Sequence, residues 1–175
     1  NSDDASNLVN GLGERAIKML GDNNLSKADK IIQFRELLNE GFDVPLIARY
    51  AIGKHWRRIT PAKKSEYIKV FEDFIVKSYA ARLGQFGGET FSITGSRKDG
   101  KKDFIVSSII KTSKGSRINV DWRVRSSSDQ LKILDVIIEG VSMVITQRDE
   151  FSAIIQRSGG NVDSLIQKLN NFHNK

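Results

Sequence analysis

The sequence predicts an α+β fold in which helices cover one face of a curved antiparallel sheet. Apolar residues recur at helical spacing over residues 8–81, whereas apolar and polar residues alternate over residues 90–125. The breaks at residues 95–101, 113–116 and 126–129 are short and rich in turn-forming residues, which favours hairpins over crossover helices. Helices first and an antiparallel meander second is the order typical of this fold class.

Four helices are predicted in the first half of the chain. They are predicted at residues 8–20, 26–41, 43–52 and 60–81. Ser26, Asp43 and Thr60 are residue types that cap helix N-termini. Pro45 and Pro61 fall in the first turn, where the missing N–H of proline costs little.

The second half is predicted to hold four strands and two closing helices. The strands are predicted at residues 90–94, 102–112, 117–125 and 130–139, and the helices at residues 144–157 and 162–171. The last strand is rich in branched aliphatic residues, as expected for a strand that is buried on both faces. Gly140 then supplies the backbone freedom for a turn toward the fifth helix.

A chain of 175 residues is long enough to bury a substantial core in one domain. We expect a flexible N-terminus at residues 1–7 and a single domain over residues 8–175, of which residues 8–41 are a candidate helical lobe. The chain opens on Asn1 without an initiator Met, which fits a processed export precursor or a trimmed chain. No run approaches the roughly 18 apolar residues of a membrane-spanning helix, so contact with lipid is expected from the aqueous side.

Composition excludes several kinds of chemistry. The chain has no cysteine, so disulfides, thiolate metal sites and a cysteine nucleophile are excluded. Neither His55 nor His173 has a partner at the helical spacing of a zinc site. We expect His55 to be a positioned surface residue and His173 to be solvated. The sequence therefore predicts neither a metal site nor a cofactor.

The charge of the chain favours polyanionic partners. A formal charge of +7 suits nucleic acid, an anionic membrane surface or an acidic protein. The basic cluster Lys54, Arg57 and Arg58 surrounds Trp56, and we expect it at a solvated helix end that meets an anionic partner. Aromatic residues are sparse near the other cations. A nucleic-acid-binding module is therefore a hypothesis that we do not favour, and nucleic acid is not an expected partner.

Two carboxylates, Asp135 and Glu139, are embedded in the apolar run of the last strand. Such groups are seldom buried unless they are paired. On one strand they would lie roughly 13 Å apart at about 3.3 Å per residue, too far to share a proton. We expect structural pairing with Arg123 and Arg125 on the neighbouring strand. The alternative is an enzyme that uses Asp135 or Glu139 as an acid or base in an apolar pocket.

The chain has more apolar residues in these segments than one interface between a helix and a sheet would bury. They are Val70, Phe71, Phe74, Ile75, Val136, Ile138, Val141, Met143 and Ile145. A core is the default interpretation of such residues. The competing interpretation is a cavity with apolar walls and few polar groups.

Several segments of the chain together form a recognisable set of motifs. In the first half they are Phe42-Asp43-Val44, Ile47-Ala48-Arg49-Tyr50, Gly53-Lys54-His55-Trp56, Thr60-Pro61 and Phe71-Glu72-Asp73-Phe74. In the second half they are Asp135-Val136, Glu139-Gly140-Val141-Ser142, Arg148, Phe151 and Asp163-Ser164-Leu165-Ile166. In this order, over residues 8–170, the chain resembles the MlaC, or toluene-tolerance, family of periplasmic phospholipid-binding proteins.

The resemblance implies a nuclear-transport-factor-2-like α+β fold with additional N-terminal helices. It implies a periplasmic carrier, with its signal peptide removed, that moves phospholipid between the inner and outer membranes and so maintains outer-membrane lipid asymmetry. The cargo would be the only bound molecule, and the protein would be a monomer and not an enzyme. The implied partners are an inner-membrane ABC transporter with a lipid-binding ring and an outer-membrane lipoprotein-porin complex.

For individual residues, the resemblance implies acyl chains in an apolar cavity between sheet and helices. The nine apolar residues named above are the predicted contacts of the chains. Lys54, Arg57 and Arg58 are predicted to meet a partner or the lipid head group.

Overall fold

The computed structural model describes residues 1–172, which form an α+β fold with an open, curved antiparallel sheet. Its α-helices are α1 (Ser2–Leu20), α2 (Lys27–Gly41), α3 (Val44–Ile52), α4 (Pro61–Ala80), α5 (Met143–Arg157) and α6 (Val162–Asn170). Its strands are β1 (Thr90–Asp99), β2 (Asp103–Lys111), β3 (Arg117–Ser127), β4 (Gln130–Ile138) and β5 (Val141–Ser142). Two 3-10 helices are Gly53–Arg58 and Leu83–Gln85. The predicted fold class is confirmed, and His173 lies outside the described residues.

The chain divides into two compact units that alternate along the sequence. The sheet unit comprises Asn1–Asp43 and Arg82–Met143, and the helical unit comprises Val44–Ala81 with the chain from Val144 onward. The predicted helical lobe, residues 8–41, belongs to the sheet unit. The single domain over residues 8–175 stays a prediction.

The helix starts at Ser26 and Thr60 follow the capping chemistry that the sequence predicts, and the cap at Asp43 stays a prediction. The side chains of Ser26 and Thr60 accept hydrogen bonds from the backbone N–H groups of Asp29 and Lys63 at 3.0 and 3.2 Å. Such a bond satisfies one of the backbone donors that have no partner within the helix. Pro61 then occupies the first turn of α4, where its missing N–H removes no helical bond.

The N-terminus is ordered, contrary to the expected flexible segment at residues 1–7. Helix α1 begins at Ser2 instead of Leu8, and Asn1 and Asp4 form a reciprocal capping box at its start. Ala5 is fully buried in the core of the sheet unit. Ordering the first turn costs conformational entropy, which its polar residues alone would not offset. The cap and the burial of Ala5 offset this cost, so the turn is helical.

The five strands form a meander in the order β1-β2-β3-β4-β5. Strand β1 runs to Asp99, five residues beyond the predicted end, because a register shift between Ile93 and Gly95 lets the ladder continue past the glycine. A second shift between Arg123 and Val124 inserts an extra residue in β4. The break predicted to start at Gly95 was therefore wrong, whereas the turns at residues 113–116 and 126–129 follow the prediction.

The core of the sheet unit lies where α1 packs on β1 and β2. Its buried members are Ala5, Val9, Val106, Val124 and Ile133. Helix α1 comes close because Gly13 faces the ring of Phe91, and a Cβ added there would lie 2.7 Å from two ring carbons. Helix α2 contacts β4 and ends at Gly41, where a side chain would overlap Leu12.

The helical unit has its own core, formed by α3, α4, α5 and α6. Its buried members are Ala48, Ala51, Ile52, Tyr67, Val70, Phe71, Phe151, Ile155, Val162, Leu165, Ile166 and Leu169. The hydroxyl of Tyr67 donates a 2.6 Å hydrogen bond to the carbonyl oxygen of Ala48, so this buried polar group is satisfied. The bond fixes α4 against α3.

Candidate functional site

A two-residue hairpin forms the corner between β4 and β5. Glu139 and Gly140 have φ of 49° and 81°, and positive φ at both positions is what the tight turns of such hairpins require. Glu139 is therefore a turn residue, and its prediction as part of the strand was wrong. Ile138 and Val141 oppose each other across the turn and are 37% and 53% exposed. The corner thus presents an apolar pair to solvent.

The two carboxylates of the corner bind polar groups of the corner and of β3. Asp135 accepts hydrogen bonds from the Ser142 hydroxyl and from the backbone N–H of Val136. Glu139 accepts a 2.7 Å bond from the backbone N–H of Asn119. Its own N–H donates to the Asn119 carbonyl oxygen at 2.9 Å. The Glu139 bonds fix the register of the hairpin on β3, and the Ser142 bond to Asp135 joins β5 to β4, as expected for a structural role of both acids.

Asp135 and Glu139 were the predicted partners of Arg123 and Arg125. The hydrogen bonds of these arginines described here go to Asp103 and, for Arg123, also to Asp99. Arg125 Nε donates to Asp103 at 2.6 Å, and Arg123 donates to Asp103 and to Asp99 at 2.9 Å. Burial alone would raise the pKa of Asp103, but the hydrogen bonds from Arg125 and Arg123 outweigh it and lower that pKa. The sequence held a signal for this network, because Asp103 lies opposite Arg125 when the β2–β3 turn is placed correctly.

The nine predicted acyl-chain contacts are distributed over the two units. In the sheet unit, Val136 and Met143 are partly buried, next to the exposed Ile138 and Val141. In the helical unit, Ile145 on α5 is 50% exposed. Val70, Phe71, Phe74 and Ile75 on α4 belong to the helical core or pack against it. The exposed members of the set are therefore Ile138, Val141 and Ile145.

The aromatic face of α4 is occupied by a row of rings in the helical unit. Consecutive ring centroids along it are 4.9–6.5 Å apart, and the members are Trp56, Tyr67, Phe71, Phe151, Phe74 and Phe172. Edge-to-face pairs at such distances stabilise a core beyond the area they bury. An acyl chain could therefore reach Phe71 only if this row opened.

The basic cluster lies on the 3-10 helix Gly53–Arg58. Lys54, Arg57 and Arg58 are exposed, as predicted for a solvated helix end. The cations at the start of α4 are already engaged, because Lys63 binds Glu66 at 3.2 Å and Asp163 at 2.6 Å, while Lys64 lies 4.9 Å from the ring centre of Trp56. The 3-10 helix thus carries three exposed cations beside two that are engaged.

His55 lies inside the helical unit, and its prediction as a surface residue was wrong. It is 3% exposed, and neither ring nitrogen has a hydrogen-bond partner within residues 1–172. Burial lowers the pKa of His55, and the nearby charges of Lys54 and Arg58 lower it further. Three residues near it in sequence, Lys54, Arg57 and Arg58, are cationic and exposed, so hydropathy gave no signal that this residue turns inward.

Two further findings concern residues 1–172. They contain no group of His, Cys, Asp or Glu side chains that could hold a metal ion. In this part of the chain no helix is both long enough and apolar enough to cross a membrane.

Comparison with known proteins identifies the family. The family model described as "MlaC protein" matches residues 12–171. The chain belongs to the MlaC family. This membership confirms the resemblance drawn from the sequence motifs.

Two curated relatives carry names that describe lipid transport or solvent tolerance. The intermembrane phospholipid transport system binding protein MlaC of Haemophilus influenzae is 24% identical over 122 residues, which cover 67% of this chain and 56% of that protein. The toluene tolerance protein ttg2D of Pseudomonas putida is 21% identical over 113 residues, which cover 65% of this chain and 53% of that protein. The matched region therefore spans about half the length of these relatives.

A solved MlaC-like structure shares the fold over nearly the whole chain. It is the phospholipid-binding protein of Ralstonia solanacearum, solved in complex with a phospholipid. The TM-score is 0.82 at 22% identity, over 95% of this chain and 94% of that protein.

Proposed function

We propose that this MlaC-family chain is a periplasmic phospholipid carrier that moves lipid between the inner and outer membranes without catalysing a reaction. The observation that carries the proposal is the apolar pair at the β4–β5 corner, Ile138 and Val141, in a chain whose fold matches a protein solved with phospholipid. The exposed part of this pair leaves apolar surface in water in the free chain, and that surface can bury acyl methylenes. The carrier would act as a monomer with phospholipid as its cargo.

The proposed tail contacts differ in how directly a lipid can reach them. Ile138, Val141 and Ile145 are exposed and need no rearrangement. Val136 and Met143 are partly buried beside the corner. Val70, Phe71, Phe74 and Ile75 would join only after the aromatic row on α4 opens.

The energetics of acyl burial explain why such a protein needs partners. Each buried methylene contributes about 0.8 kcal/mol, so two acyl chains of about 30 methylenes represent roughly 24 kcal/mol before the costs of ordering. Those costs reduce the net affinity greatly. Loss of lipid into water nevertheless stays slow, and we expect release to need the inner-membrane ABC-transporter ring or the outer-membrane lipoprotein-porin complex.

We propose that Lys54, Arg57 and Arg58 meet an anionic partner or the phosphate of the lipid head group. All three are exposed on one short helix, and the neighbouring Lys63 is neutralised by Glu66 and Asp163. Reversing these three charges should weaken contact with anionic vesicles or partner proteins while leaving the uptake of acyl chains intact. A strong salt dependence of binding in the wild type, absent in the variant, would support this role.

The structural bonds of Asp135 and Glu139 support a carrier over the alternative enzyme. Glu139 binds the backbone N–H of Asn119 on β3, and Asp135 binds the Val136 N–H and the Ser142 hydroxyl within the hairpin. Replacing Asp135 by Asn should therefore lower stability and not abolish lipid uptake.

Uptake from vesicles tests the proposal. The purified protein is mixed with vesicles that contain a fluorescent phospholipid, the vesicles are sedimented, and lipid in the supernatant is counted per protein. We expect a fixed number of lipids per chain, with release over hours in buffer and faster release to acceptor membranes that carry the partner. Lipid in the supernatant no higher than without protein would overturn the carrier function.

A further inference from the structure

The net positive charge of the chain is concentrated in one of its two compact units. The helical unit carries twelve Lys and Arg residues against six Asp and Glu, which gives it a formal charge of +6. The sheet unit carries sixteen against fifteen, which gives it a formal charge of +1. An extended anionic surface would therefore attract the chain mainly through its helical unit.

Four of these cations form a surface of the helical unit that we call the docking face. Three of them, Lys54, Arg57 and Arg58, are exposed on the 3-10 helix. The fourth is the exposed Arg148 on α5, whose side chain lies against Gly53, because a Cβ added to that glycine would be 3.4 Å from Arg148 Cδ. The missing side chain of Gly53 thus lets α5 place a cation at the start of the 3-10 helix.

The cations of the docking face are not neutralised by residues 1–172. None of the salt bridges within this part of the chain involves any of the four side chains. Lys63 differs from them, since it is paired with Glu66 and Asp163. An anion from outside can therefore meet the docking face without displacing an existing ion pair.

The positive charge of the docking face also acts on the residue beneath it. Burial lowers the pKa of His55, and the charges of Lys54 and Arg58 lower it further. Asp149 follows Arg148 on α5 and offsets at most one of the four cations. The face therefore keeps an excess of positive charge.

The docking face adjoins one of the proposed acyl-chain contacts. Ile145 is 50% exposed and lies three residues before Arg148 on α5. Side chains at this spacing are neighbours on a helix surface, with about 5–6 Å between their Cβ atoms. A bilayer bound by Arg148 would therefore be within reach of a side chain that we expect to contact lipid tails.

We propose that the docking face binds the anionic surface of a phospholipid bilayer. The proposal rests on the carrier function and specifies the anionic partner of the 3-10 helix, because a carrier has to meet the bilayer with which it exchanges lipid. A bilayer is favoured over an acidic protein because the excess charge extends over the whole helical unit, which suits a plane of phosphates better than one complementary site. The arginines would donate hydrogen bonds to those phosphates.

Co-sedimentation of the full chain with vesicles tests the proposal. We expect the wild type to bind phosphatidylglycerol vesicles, and to bind phosphatidylcholine vesicles, which carry no net charge, far more weakly. Binding should be lost in about 1 M salt, where the Debye length falls to about 3 Å. Equal binding to both kinds of vesicle, or binding to neither, would overturn the proposal.

Two exposed arginines of α5 form a matched pair for this test. Arg148→Gln should weaken binding to phosphatidylglycerol vesicles about fivefold, the effect of one basic side chain near an anionic surface. Arg157→Gln makes the same change in the last turn, about 13 Å further along the helix axis, and should leave the affinity unchanged. Equal losses in the two variants would show that net charge, and not the docking face, controls binding.

Replacing all four cations of the docking face by Gln should weaken vesicle binding about a hundredfold or more. Val141→Glu should bind vesicles nearly as well as the wild type although it takes up no lipid. An equal loss of vesicle binding in both proteins would contradict docking through the cations. Chemical shifts at the four cations with a peptide of alternating Glu and Gly, without binding to vesicles, would assign the face to an acidic protein and overturn the bilayer.

Phospholipid extracted from the purified chain reports on the carrier function separately. A wild type that holds phospholipid but does not bind phosphatidylglycerol vesicles would overturn the docking face and leave the carrier function intact. A wild type that holds none, yet binds vesicles through the four cations, would uphold the docking face and contradict the carrier function.

Discussion

His55 shows how one side chain sets the pH response of the helical unit. It is buried without a partner for either ring nitrogen within residues 1–172, and its pKa is lowered by burial and by Lys54 and Arg58. The charged groups acting on it are cations, so no described interaction stabilises its protonated form. Because an exposed histidine titrates near pH 6.5, the unfolded chain binds the proton first as pH falls below about 6.5. The contribution of His55 to the stability of the unit is therefore fully present above that pH and decreases below it.

We expect His55→Phe to stabilise the protein and flatten this pH dependence. An aromatic ring is kept while two unsatisfied polar atoms are removed, which should raise the free energy of unfolding by about 1 kcal/mol at neutral pH. Urea unfolding at about pH 7.5 and about pH 5.5 measures both effects in the window where histidine titrates. The same decline in the variant as in the wild type would show that another group is responsible.

Gly13 is predicted to be required by packing, unlike its neighbour Gly11. Both lie in α1, but a Cβ at Gly13 would meet the Phe91 ring at 2.7 Å, whereas nothing lies within 4 Å at Gly11. Gly13→Ala should cost about 1–3 kcal/mol of unfolding free energy through overpacking. Gly11→Ala should raise it by about 0.5–1 kcal/mol because alanine favours helix. Thermal unfolding of the pair measures both, and equal shifts would contradict the close approach of α1 to β1.

Among individual residues, the sequence predicted the role of those that act on nearby parts of the chain. It missed residues whose role depends on tertiary contacts. The caps Ser26 and Thr60 were predictable because capping depends on the next three residues. The inward side chain of His55 was not, since three of its five companions in the 3-10 helix are charged. The arginine partners could be assigned only once the strand register was known.

Among the elements, the ends of β2 and β3 are joined by a carboxylate that two arginines share. Asp103 is buried and its pKa is lowered, with the arginine hydrogen bonds outweighing burial. A depressed acid pKa gives stability that is present above the unfolded value of about 4 and is lost as pH falls through the folded value.

We expect Asp103→Asn to cost about 2 kcal/mol at neutral pH, because bonds to a charged acceptor are lost. The difference in unfolding free energy between wild type and variant should narrow as pH falls below about 4, because the unfolded wild-type chain then binds a proton that folded Asp103 still resists. Urea unfolding midpoints of both proteins, at neutral pH and below about pH 4, measure this difference in stability. A gap that is independent of pH would mean that packing, and not charge, makes Asp103 necessary.

The β4–β5 corner is the element on which the lipid contacts depend. Val141→Glu places a charge at a 53% exposed position of the corner, where it should abolish lipid uptake from vesicles with little change in stability. Ile32→Glu makes the same change at a 57% exposed position of α2 and should leave uptake intact. Retained uptake in the Val141 variant, or equal loss in both, would show that the tail contacts lie elsewhere.

Element positions followed from the sequence where periodicity was strong. Helix α4 lies where its apolar spacing and its cap placed it, and the closing helices lie where their apolar spacing placed them. Strand β1 was cut short because a glycine was taken as a turn when it lies beside a register shift. The corner was assigned to strand and helix directly, whereas a short strand, β5, intervenes. Such features depend on pairing between strands, which local patterns do not record.

For the whole molecule, the fold class and the family were predictable from the sequence. The division of the chain into two compact units was not. Alternating and helical patterns predicted the α+β class, and the motif order predicted the MlaC family that the comparison then identified. The two units interleave along the chain, with the boundaries at Asp43 and Ala81 falling between adjacent elements. No change in composition marks these points, so the sequence offered no signal for them.

A phospholipid carrier should already hold phospholipid when it is purified from the cells that produce it. The most direct measurement is solvent extraction of the purified chain, followed by mass spectrometry of the extract and phosphate analysis for stoichiometry. The account predicts phospholipid at a fixed ratio of about one to two molecules per chain, with much less from the Val141→Glu variant, because tail burial depends on the apolar corner. An extract without phospholipid, from protein that also takes up none from vesicles, would contradict it.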